Sequence, residues 1–382
     1  MHISLDSALG RQRRLNSVGE SVLQIAPNAA AAYSLRSLTG GDPQVVRVRR
    51  VIDNAESDFT AAGISSGALT SFVNDIQTVG TAVNGTGSFD NYTVSNLSNT
   101  GFSADNSAGG TGSAGFPYVF KDEDVLVVKY TVTNFSSTAS LSPQIRGVSA
   151  TNSVTGKTNS GTAFTANGTY TDTLTATANG THLMYADGNT GSYTISDFEI
   201  VSHSSSGFVE TWYDQSGNSK DATQATASLQ PKIVNAGSLL TDGIDFDGTS
   251  QAGLVTGSFS LTQAFTTFSV SHTDDASTSL GIWSTAASAT ANLNSASFFR
   301  NDDGFAVNAG ATLTTAGTIE YVADRTYLQT NVVNGAFSSM FVDGATGATG
   351  NPGSTNPSGV LIIGYFKTGG YFNLDGAIKE FI

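Results

Sequence analysis

The stretch that decides the fold is Thr211-Trp212-Tyr213-Asp214-Gln215-Ser216-Gly217-Asn218, in which aromatic, acidic, amide and glycine residues follow one another closely. Two aromatic residues that run into Asp-Gln-Ser-Gly-Asn are typical of a buried strand that ends in a tight turn. Asp and Asn side chains accept hydrogen bonds from nearby backbone in such turns, and Gly supplies a positive φ. We therefore expect Trp212 and Tyr213 in a core, and Asp214 and Asn218 to fix the turn.

The composition of the 382 residues favours a β protein that is rich in turns. Charged residues make up only 13% of the chain, about half the usual share, and Gly, Ser, Thr, Asn and Ala dominate. The 22 Phe and 12 Tyr, together with regularly placed Val, Ile and Leu, argue against disorder. At this length we expect about two or three domains.

The net charge of −14 is distributed unevenly. Residues 1–50 hold seven of the 17 Lys and Arg and three acidic residues, so they carry +4 while the rest of the chain carries −18. Because an acidic body repels nucleic acid, we expect no nucleic-acid partner. The basic N-terminal segment is therefore distinct in charge from the acidic remainder of the chain.

Several kinds of protein are excluded by what the chain lacks. Without cysteine there are no disulfides, no thiolate metal sites and no thiol catalysis. No apolar run approaches the ~18 residues of a membrane span, so membrane insertion is not expected. No apolar leader is visible after Met1, and we expect synthesis in a cytoplasm.

The N-terminal arm, residues 1–27, contains the best helix candidate, residues 4–19, with Ser4 as a cap and a thin apolar stripe. Such a segment cannot bury itself. Two interpretations of its polar side stay open: a solvated face, or an arm that docks on an acidic subunit. In the docking interpretation the contact residues of the arm are Arg11, Arg13, Arg14 and Leu15.

Residues 28–84 show a change from helix to strand. Asn28 can cap a helix over 29–36, Val45 to Arg50 alternates like a half-buried strand, and 67–76 has one apolar side that predicts a second helix. Local pairing of Arg47, Arg49 and Arg50 with nearby acidic residues is expected.

Two further regions have β patterns. Residues 85–203 predict strands at 124–132, 170–176, 182–186 and 193–200 between frequent turns, which indicates an antiparallel sandwich. Residues 204–382 predict strands whose hairpins turn at Asp-Gly pairs. The predicted fold class is mainly β: two antiparallel β-sandwiches of jelly-roll type, one inserted in the other, and a helical N-terminal arm. The closing strand, which runs to Ile382, is predicted to leave an open edge that is completed either by another subunit or by further residues of a longer product.

The opening stretch, followed by Asp221-Ala222-Thr223-Gln224, resembles the WYDQSGN-x-x-x-x-TQ signature of the catalytic β-sandwich of family-54 α-L-arabinofuranosidases. A group of tailed-bacteriophage virion proteins shares this domain. The series FDG, FSV, FVDG, LIIG and DGAIKEF is similar to the concanavalin-like, laminin-G-type jelly roll. The resemblance covers 28–84 and 204–382, and 85–203 resembles an inserted carbohydrate-binding module.

The resemblance implies a phage virion structural protein of the tail or fibre apparatus. Such a protein is located in the virion, assembles with other virion proteins through its N-terminal arm, forms homo-oligomers and presents a glycan-binding surface to the host cell. The alternatives are an arabinofuranosidase-like glycoside hydrolase that acts on surface polysaccharide, and a capsid decoration protein.

Catalysis by this family requires two carboxyl groups about 5–5.5 Å apart. The resembled enzymes carry a Glu after the FDG strand, but no Glu occurs between Glu210 and Glu320. Their second carboxyl group follows the LIIG strand, where residues 364–370 contain no acid. We therefore expect no catalytic residues.

No metal or other cofactor is expected, because the four histidines His2, His182, His203 and His272 lack the spacing of a metal site. The turns Asp302-Asp303-Gly304 and Asp187-Gly188-Asn189 are rich in oxygen, as calcium loops are.

Sugar binding needs an exposed aromatic ring and a few polar side chains. A place in the core is the alternative for each aromatic residue. The candidates are Phe116, Tyr118 and Tyr185 with Asp187 and Asn189, and near the end of the chain Tyr365, Phe366 and Tyr371.

Overall fold

A computed structural model of the chain describes residues 21–84, 93–105, 112–137, 142–148, 154–160, 165–187, 191–249, 253–275, 277–300, 304–315 and 318–382. The helix predicted over 4–19, with Arg11, Arg13, Arg14 and Leu15, lies outside these residues. The described chain is mainly β, and its strands pair antiparallel in large sheets.

The helices of the described part are short: α1 (Val22–Ile25), α2 (Ala61–Ser65), α3 (Ala68–Val73) and a 3-10 turn (Ala227–Leu229). Ser21 and Gln24 form a reciprocal capping box at α1. Gly67 adopts a left-handed φ of 85° and lets the chain turn from α2 into α3. None of these helices is long and apolar enough to cross a membrane.

The strands form two groups. The middle strand group consists of β4 (Val83–Asn84), β5 (Thr93–Ser95), β6 (Phe102–Asp105), β7 (Gly112–Phe120), β8 (Val125–Ser137), β9 (Ser142–Val148), β10 (Val154–Ser160), β11 (Gly168–Thr175), β12 (Gly180–Asp187) and β13 (Gly191–Ser204). The main strand group begins with β1 (Tyr33–Ser34), β2 (Gln44–Arg50) and β3 (Glu56–Thr60) and resumes after residue 206.

The later strands of the main group are β14 (Gly207–Trp212), β15 (Ala222–Thr223), β16 (Lys232–Asn235), β17 (Ser238–Leu239), β18 (Ile244–Asp247), β19 (Leu254–Ser260), β20 (Phe265–Thr273), β21 (Leu280–Ala286), β22 (Leu293–Phe299), β23 (Phe305–Asn308), β24 (Thr312–Thr314), β25 (Arg325–Val333), β26 (Ser338–Val342), β27 (Ala345–Gly350), β28 (Ser358–Ile363), β29 (Tyr365–Thr368), β30 (Gly370–Asn373) and β31 (Asp375–Phe381).

The middle strand group forms two five-stranded sheets, in the orders β10-β9-β12-β7-β4 and β11-β8-β13-β6-β5. Alternate residues of β8 are buried, which is the period of two that a strand imposes. Phe116 of one sheet stacks on Phe198 of the other, with ring centroids 4.0 Å apart. The facing side chains of the two sheets therefore share one hydrophobic cluster.

The main strand group forms one hydrogen-bonded system with a hydrophobic cluster of its own. At its centre Tyr33 contacts Trp212 and stacks on Phe381, with centroid distances of 5.6 and 6.2 Å. Residues from the beginning, middle and end of the sequence therefore meet in one core. Two other strands, β29 and β30, form a separate two-stranded hairpin.

The helix predicted over 29–36 is wrong, because this segment contains β1 and its flanking turns. Tyr33 pairs with Phe381 of β31. The backbone amide of Ala32 donates to Asp214 Oδ1, and the side chain of Gln215 donates to the carbonyl of Ser34. Long-range partners thus satisfy the backbone groups that a helix would have paired locally.

The prediction of an open edge at the closing strand is also wrong. β31 pairs with β18 on one side and with β20 on the other, and its end pairs with β1. The strand is therefore internal to the sheet.

Candidate functional site

The turn that follows β14 is built around Asp214. Its Oδ1 accepts from the amides of Ala32 and Ser216 at 2.9 Å each, and its Oδ2 accepts from Ser216 Oγ and the amide of Lys220 at 2.8 and 3.0 Å. The hydroxyl of Tyr33 donates to the carbonyl of Lys220. Asp214 thus closes the turn and binds it to the segment before β1.

Gln215 extends this attachment to residues 34–38. Its Oε1 accepts from the amide of Leu38 at 2.7 Å, and its Nε2 donates to the carbonyls of Ser34 and Arg36 at 2.9 and 3.0 Å. Asn218 Nδ2 donates to the carbonyl of Ala29 at 2.9 Å. With Trp212 fully buried, the stretch works as a structural joint, and the side chains of Asp214, Gln215 and Asn218 are hydrogen-bonded within the protein.

Tyr213 points to a charged pair on the surface of the main strand group. Its hydroxyl donates to Asp58 Oδ1 at 2.6 Å, and Arg47 donates to both oxygens of Asp58 at 2.7 and 3.0 Å. Hydrogen bonding by Arg47 lowers the pKa of Asp58, and burial followed by the hydrogen bond to Asp58 raises the pKa of Tyr213 to about 12. This carboxylate is held ionised by its neighbours.

The aromatic candidates near the end of the chain lie together in one hairpin, β29–β30. We call Phe298 and residues 365–373 the aromatic hairpin surface. Phe366 stacks on Phe372 at 4.7 Å between centroids and contacts Phe298 at 4.8 Å, while Tyr365 meets Tyr371 edge to face at 5.9 Å. Tyr365 and Phe366 are buried, whereas Phe298, Tyr371 and Phe372 are half-buried and keep part of their rings in solvent.

The hairpin lies on the outer face of β21. Gly281 permits this approach, because a Cβ there would come within 2.8 Å of Phe366 Cδ1 and of the carbonyl oxygen of Phe372. Ser284 Oγ donates to the carbonyl of Tyr365 at 2.9 Å. Lys367 Nζ donates to the carbonyl of Thr290 at 2.7 Å and lies 5.0 Å from the centroid of the Tyr371 ring. The half-buried rings are therefore held in place by the packing of the hairpin on β21 and by these hydrogen bonds.

The candidates of the middle strand group are placed differently. Phe116 has no exposed surface, and Tyr118 is buried with its hydroxyl 3.0 Å from His203 Nδ1. A ring without an exposed face cannot stack on a sugar, so both leave the set of glycan candidates and are core residues. The buried rings of Tyr365 and Phe366 leave the set for the same reason. Tyr185 and Asp187 lie on β12, but their side chains, like all of Asn189, fall outside the described part of the chain.

His272, Asp274 and Asp324 form a cluster that sequence spacing did not reveal. Their ligand atoms lie within 4.8 Å of one another, and His272 Nε2 is 3.0 Å from Asp274 Oδ1. The pairing of β20 with β25 brings Asp324 beside the other two from 50 residues further along the sequence. Three such ligands can hold one metal ion. The turns at 187–189 and 302–304 that were compared with calcium loops lie largely outside the described residues.

More carboxylates surround this cluster. Asp247 of β18 is directly opposite Asp375 of β31, and the amide of Asp274 donates to the carbonyl of Asp375 at 3.0 Å. Burial, and secondly the charge of Asp274, raise the pKa of Asp245 to about 6. Burial and the charge of Asp274 also raise the pKa of Asp375. Like charges are concentrated here, and Lys232 is the cation that opposes them at Asp245.

Comparison with known proteins gives no family assignment. No family model matches the chain, and no curated protein matches it. Among solved structures, a Trypanosoma rangeli sialidase in complex with sialic acid is 15% identical over 45% of this chain and 28% of the sialidase, with a TM-score of 0.32. A truncated AlyQ with CBM32 and alginate lyase domains is 10% identical over 76% of this chain and 92% of that chain, with a TM-score of 0.22.

The chain thus spans 28% of the length of the sialidase that it matches. TM-scores this low do not establish a shared fold. The function must therefore be argued from the residues of this chain.

Proposed function

We propose that the chain is a structural protein of a bacteriophage tail or fibre that displays a glycan-binding surface to the host cell. The observation that carries the glycan-binding part is the aromatic hairpin surface. Sugar sites combine a ring face with a few polar groups on a pre-formed support. Tyr371 and Phe372 supply partly exposed rings, and the hydrogen bonds of Lys367 and Ser284 fix the hairpin that bears them.

The part of the proposal that concerns the virion rests on the sequence. The TWYDQSGN stretch, with the basic segment before residue 28, resembles the pattern of tailed-phage virion proteins. In this proposal residues 1–27 dock on another virion protein, 28–84 and 204–382 form the laminin-G-like jelly roll, and 85–203 are an inserted sandwich. Two separate hydrophobic clusters support a division into two parts, but the middle cluster also takes in Ala82, which this proposal assigns to the jelly roll. Homo-oligomer formation in the particle belongs to the same proposal.

Assembly and adhesion are tested separately. A chain that lacks residues 1–27 is expected to fold but to be absent from purified particles, which mass spectrometry of the particles measures. The full chain is expected to bind polysaccharide extracted from host cells. Incorporation of the truncated chain at the normal level contradicts the docking role, whereas absence of binding to every host polysaccharide contradicts the glycan-facing role.

One observation favours a second function, hydrolysis of glycosides. A carboxyl group with a raised pKa beside another carboxylate is the arrangement that glycosidases use for a general acid. Burial, and secondly the charge of Asp274, raise the pKa of Asp245 to about 6. Release of arabinose from an aryl arabinofuranoside by the wild type, lost in Asp245→Asn, would establish this activity; no release in the wild type excludes it for this substrate.

A further inference from the structure

The interior of the main strand group contains an unusual row of small hydroxyl residues. On β20 the buried side is formed by Thr267, Ser269, Ser271 and Thr273, while Phe268 and Val270 occupy the half-buried side. A strand that faces a hydrophobic core normally presents its apolar residues to it. Here the order is inverted. The buried side of β20 therefore needs hydrogen-bond partners.

The strands around β20 contribute more polar groups to the same interior. Asn331 of β25 donates to Thr267 Oγ1 at 3.2 Å and to Ser297 Oγ of β22 at 3.3 Å. Gln329 Nε2 donates to Asn331 Oδ1 at 3.1 Å. These bonds connect β20 and β25 with β22, so polar side chains from different strands face each other across the interior.

Six polar atoms of this interior are fully buried and have no hydrogen-bond partner in the described part of the chain. We call their residues the polar interior. They are Ser269 Oγ, Ser271 Oγ, Trp283 Nε1, Thr285 Oγ1, Ser295 Oγ and Gln329 Oε1.

Strand register places four of the six residues opposite each other in two pairs. Ser269 lies opposite Gln329 on the neighbouring strand, and Ser295 lies opposite Thr285. Trp283 is opposite Ser297, which already accepts from Asn331. Members of each pair are cross-strand neighbours and still make no hydrogen bond to each other. A small molecule that bridges such neighbours satisfies both at once.

Leaving buried polar atoms unmet is costly, and native proteins satisfy nearly all of them with protein or ordered water. The chemistry of the six atoms defines their partner. Hydroxyl groups donate and accept, Gln329 Oε1 accepts and Trp283 Nε1 donates, and none of the six side chains is ionisable. A neutral molecule that both donates and accepts fits this set.

We propose that the polar interior is a binding site for internal water molecules that bridge β20 and β25 to β21 and β22. A buried water makes about three hydrogen bonds to otherwise unsatisfied groups. Opposed hydroxyls such as Ser295 and Thr285 provide such groups from two strands. The bridging waters are then part of the fold of the main strand group.

The sign of a stability change tests the proposal. Thr285→Val keeps the side-chain shape and removes the hydroxyl. If Thr285 Oγ1 is bonded to water, the variant loses that bond and its thermal midpoint falls. If the hydroxyl is unmet, its removal raises the midpoint. Thr267→Val is the matched control, since Thr267 Oγ1 accepts from Asn331 within the protein and its loss lowers the midpoint in either case.

A second measurement does not depend on the variant. A crystal structure at high resolution is expected to show water density within hydrogen-bond distance of Thr285 Oγ1 and Ser295 Oγ. A fall in the midpoint of Thr285→Val together with this density supports the site. An unchanged or raised midpoint, or an interior without water in which the hydroxyls bond backbone carbonyls, overturns it.

Discussion

His203 Nε2 lies 2.8 Å from Asp124 Oδ2, and both side chains are only 1% exposed. The other ring nitrogen of His203 is 3.0 Å from the hydroxyl of Tyr118, and the second oxygen of Asp124 accepts from Ser205 Oγ at 2.7 Å. The amide of Ser205 in turn donates to Asn74 Oδ1, just after α3. This buried network connects the end of the middle strand group with the main strand group.

We expect His203→Ala to destabilise the protein by about 3–5 kcal/mol, because it removes one partner of a buried pair and leaves Asp124 Oδ2 with fewer hydrogen bonds. Lys129→Ala is the matched control. Lys129 pairs with Glu199 at the same distance, 2.8 Å, but both side chains are about half exposed, and such solvent-screened pairs contribute little to stability. Chemical denaturation of the two variants measures the difference. Equal losses would show that the buried network does not stabilise the fold.

The turn after β14 provides a second prediction. Gln215→Ala leaves the amide of Leu38 and two carbonyls without their partner in a buried place, and we expect a loss of about 1–3 kcal/mol. Asn218→Ala removes bonds at an exposed position and is expected to cost less than about 1 kcal/mol. Urea unfolding curves give both values. A larger loss for Asn218 than for Gln215 would refute this account of the joint.

Much of the fold could be predicted because strands impose a period of two on the sequence. The pattern of the middle strand group anticipated β8, β11, β12 and β13. The segment before β1 could not be predicted locally, since its hydrogen bonds go to Asp214 and Gln215, about 180 residues away. For the same reason the approach of Asp324 to His272 depends on the register of β20 and β25, which no spacing in the sequence reveals.

In the candidate site, too, local features could be predicted from the sequence and long-range contacts could not. Tyr365, Phe366 and Tyr371 are close in sequence, so a hairpin could bring them together without further information. Phe116 was predicted as a glycan-binding residue but is buried. The alternation of residues along a strand does not tell which face of the strand is turned to the core. The stacking of Phe116 on Phe198 comes from the second sheet. Phe298 was missed because β22 was not predicted, and Phe372 was missed although it follows the candidate Tyr371 directly on β30.

The carboxylates around Asp245 predict a dependence of stability on pH. The folded-state pKa of Asp245 is raised to about 6, so its proton is held more tightly in the folded protein. The resulting stability is present at low pH and is lost as the pH rises through about 6. Between pH 5 and 7 we expect Asp245 to reduce the free energy of unfolding by roughly 1 kcal/mol, allowing for solvent screening.

Asp245→Asn removes this contribution, so the variant should lose less stability between pH 5 and pH 7 than the wild type does. Asp197→Asn, at an exposed position, serves as the control and should follow the wild type. Thermal unfolding at the two pH values measures the effect. A variant with the same pH dependence as the wild type would rule out Asp245 as its source.

Gly281 determines whether the aromatic hairpin can lie on β21. A Cβ at this position meets Phe366 and the backbone of Phe372 at 2.8 Å, so we expect Gly281→Ala to displace the hairpin and to destabilise the protein by about 1–3 kcal/mol. Gly257→Ala places a methyl group where no atom lies within 4 Å, and it should cost less than about 1 kcal/mol. Denaturant titration compares them; equal stability of the two variants would contradict the close packing of the hairpin.

The most direct test of the glycan-binding claim is the binding of the purified protein to an array of bacterial surface polysaccharides, compared with the double variant Tyr371→Ala, Phe372→Ala. We expect the double variant to stay folded and to lose at least about tenfold in affinity, or about 1.4 kcal/mol. Phe337→Ala is the matched control, because Phe337 is 84% exposed on the turn between β25 and β26, outside the aromatic hairpin surface. Binding that survives in the double variant, or that is lost in Phe337→Ala instead, would contradict the assignment of the glycan site to the aromatic hairpin surface.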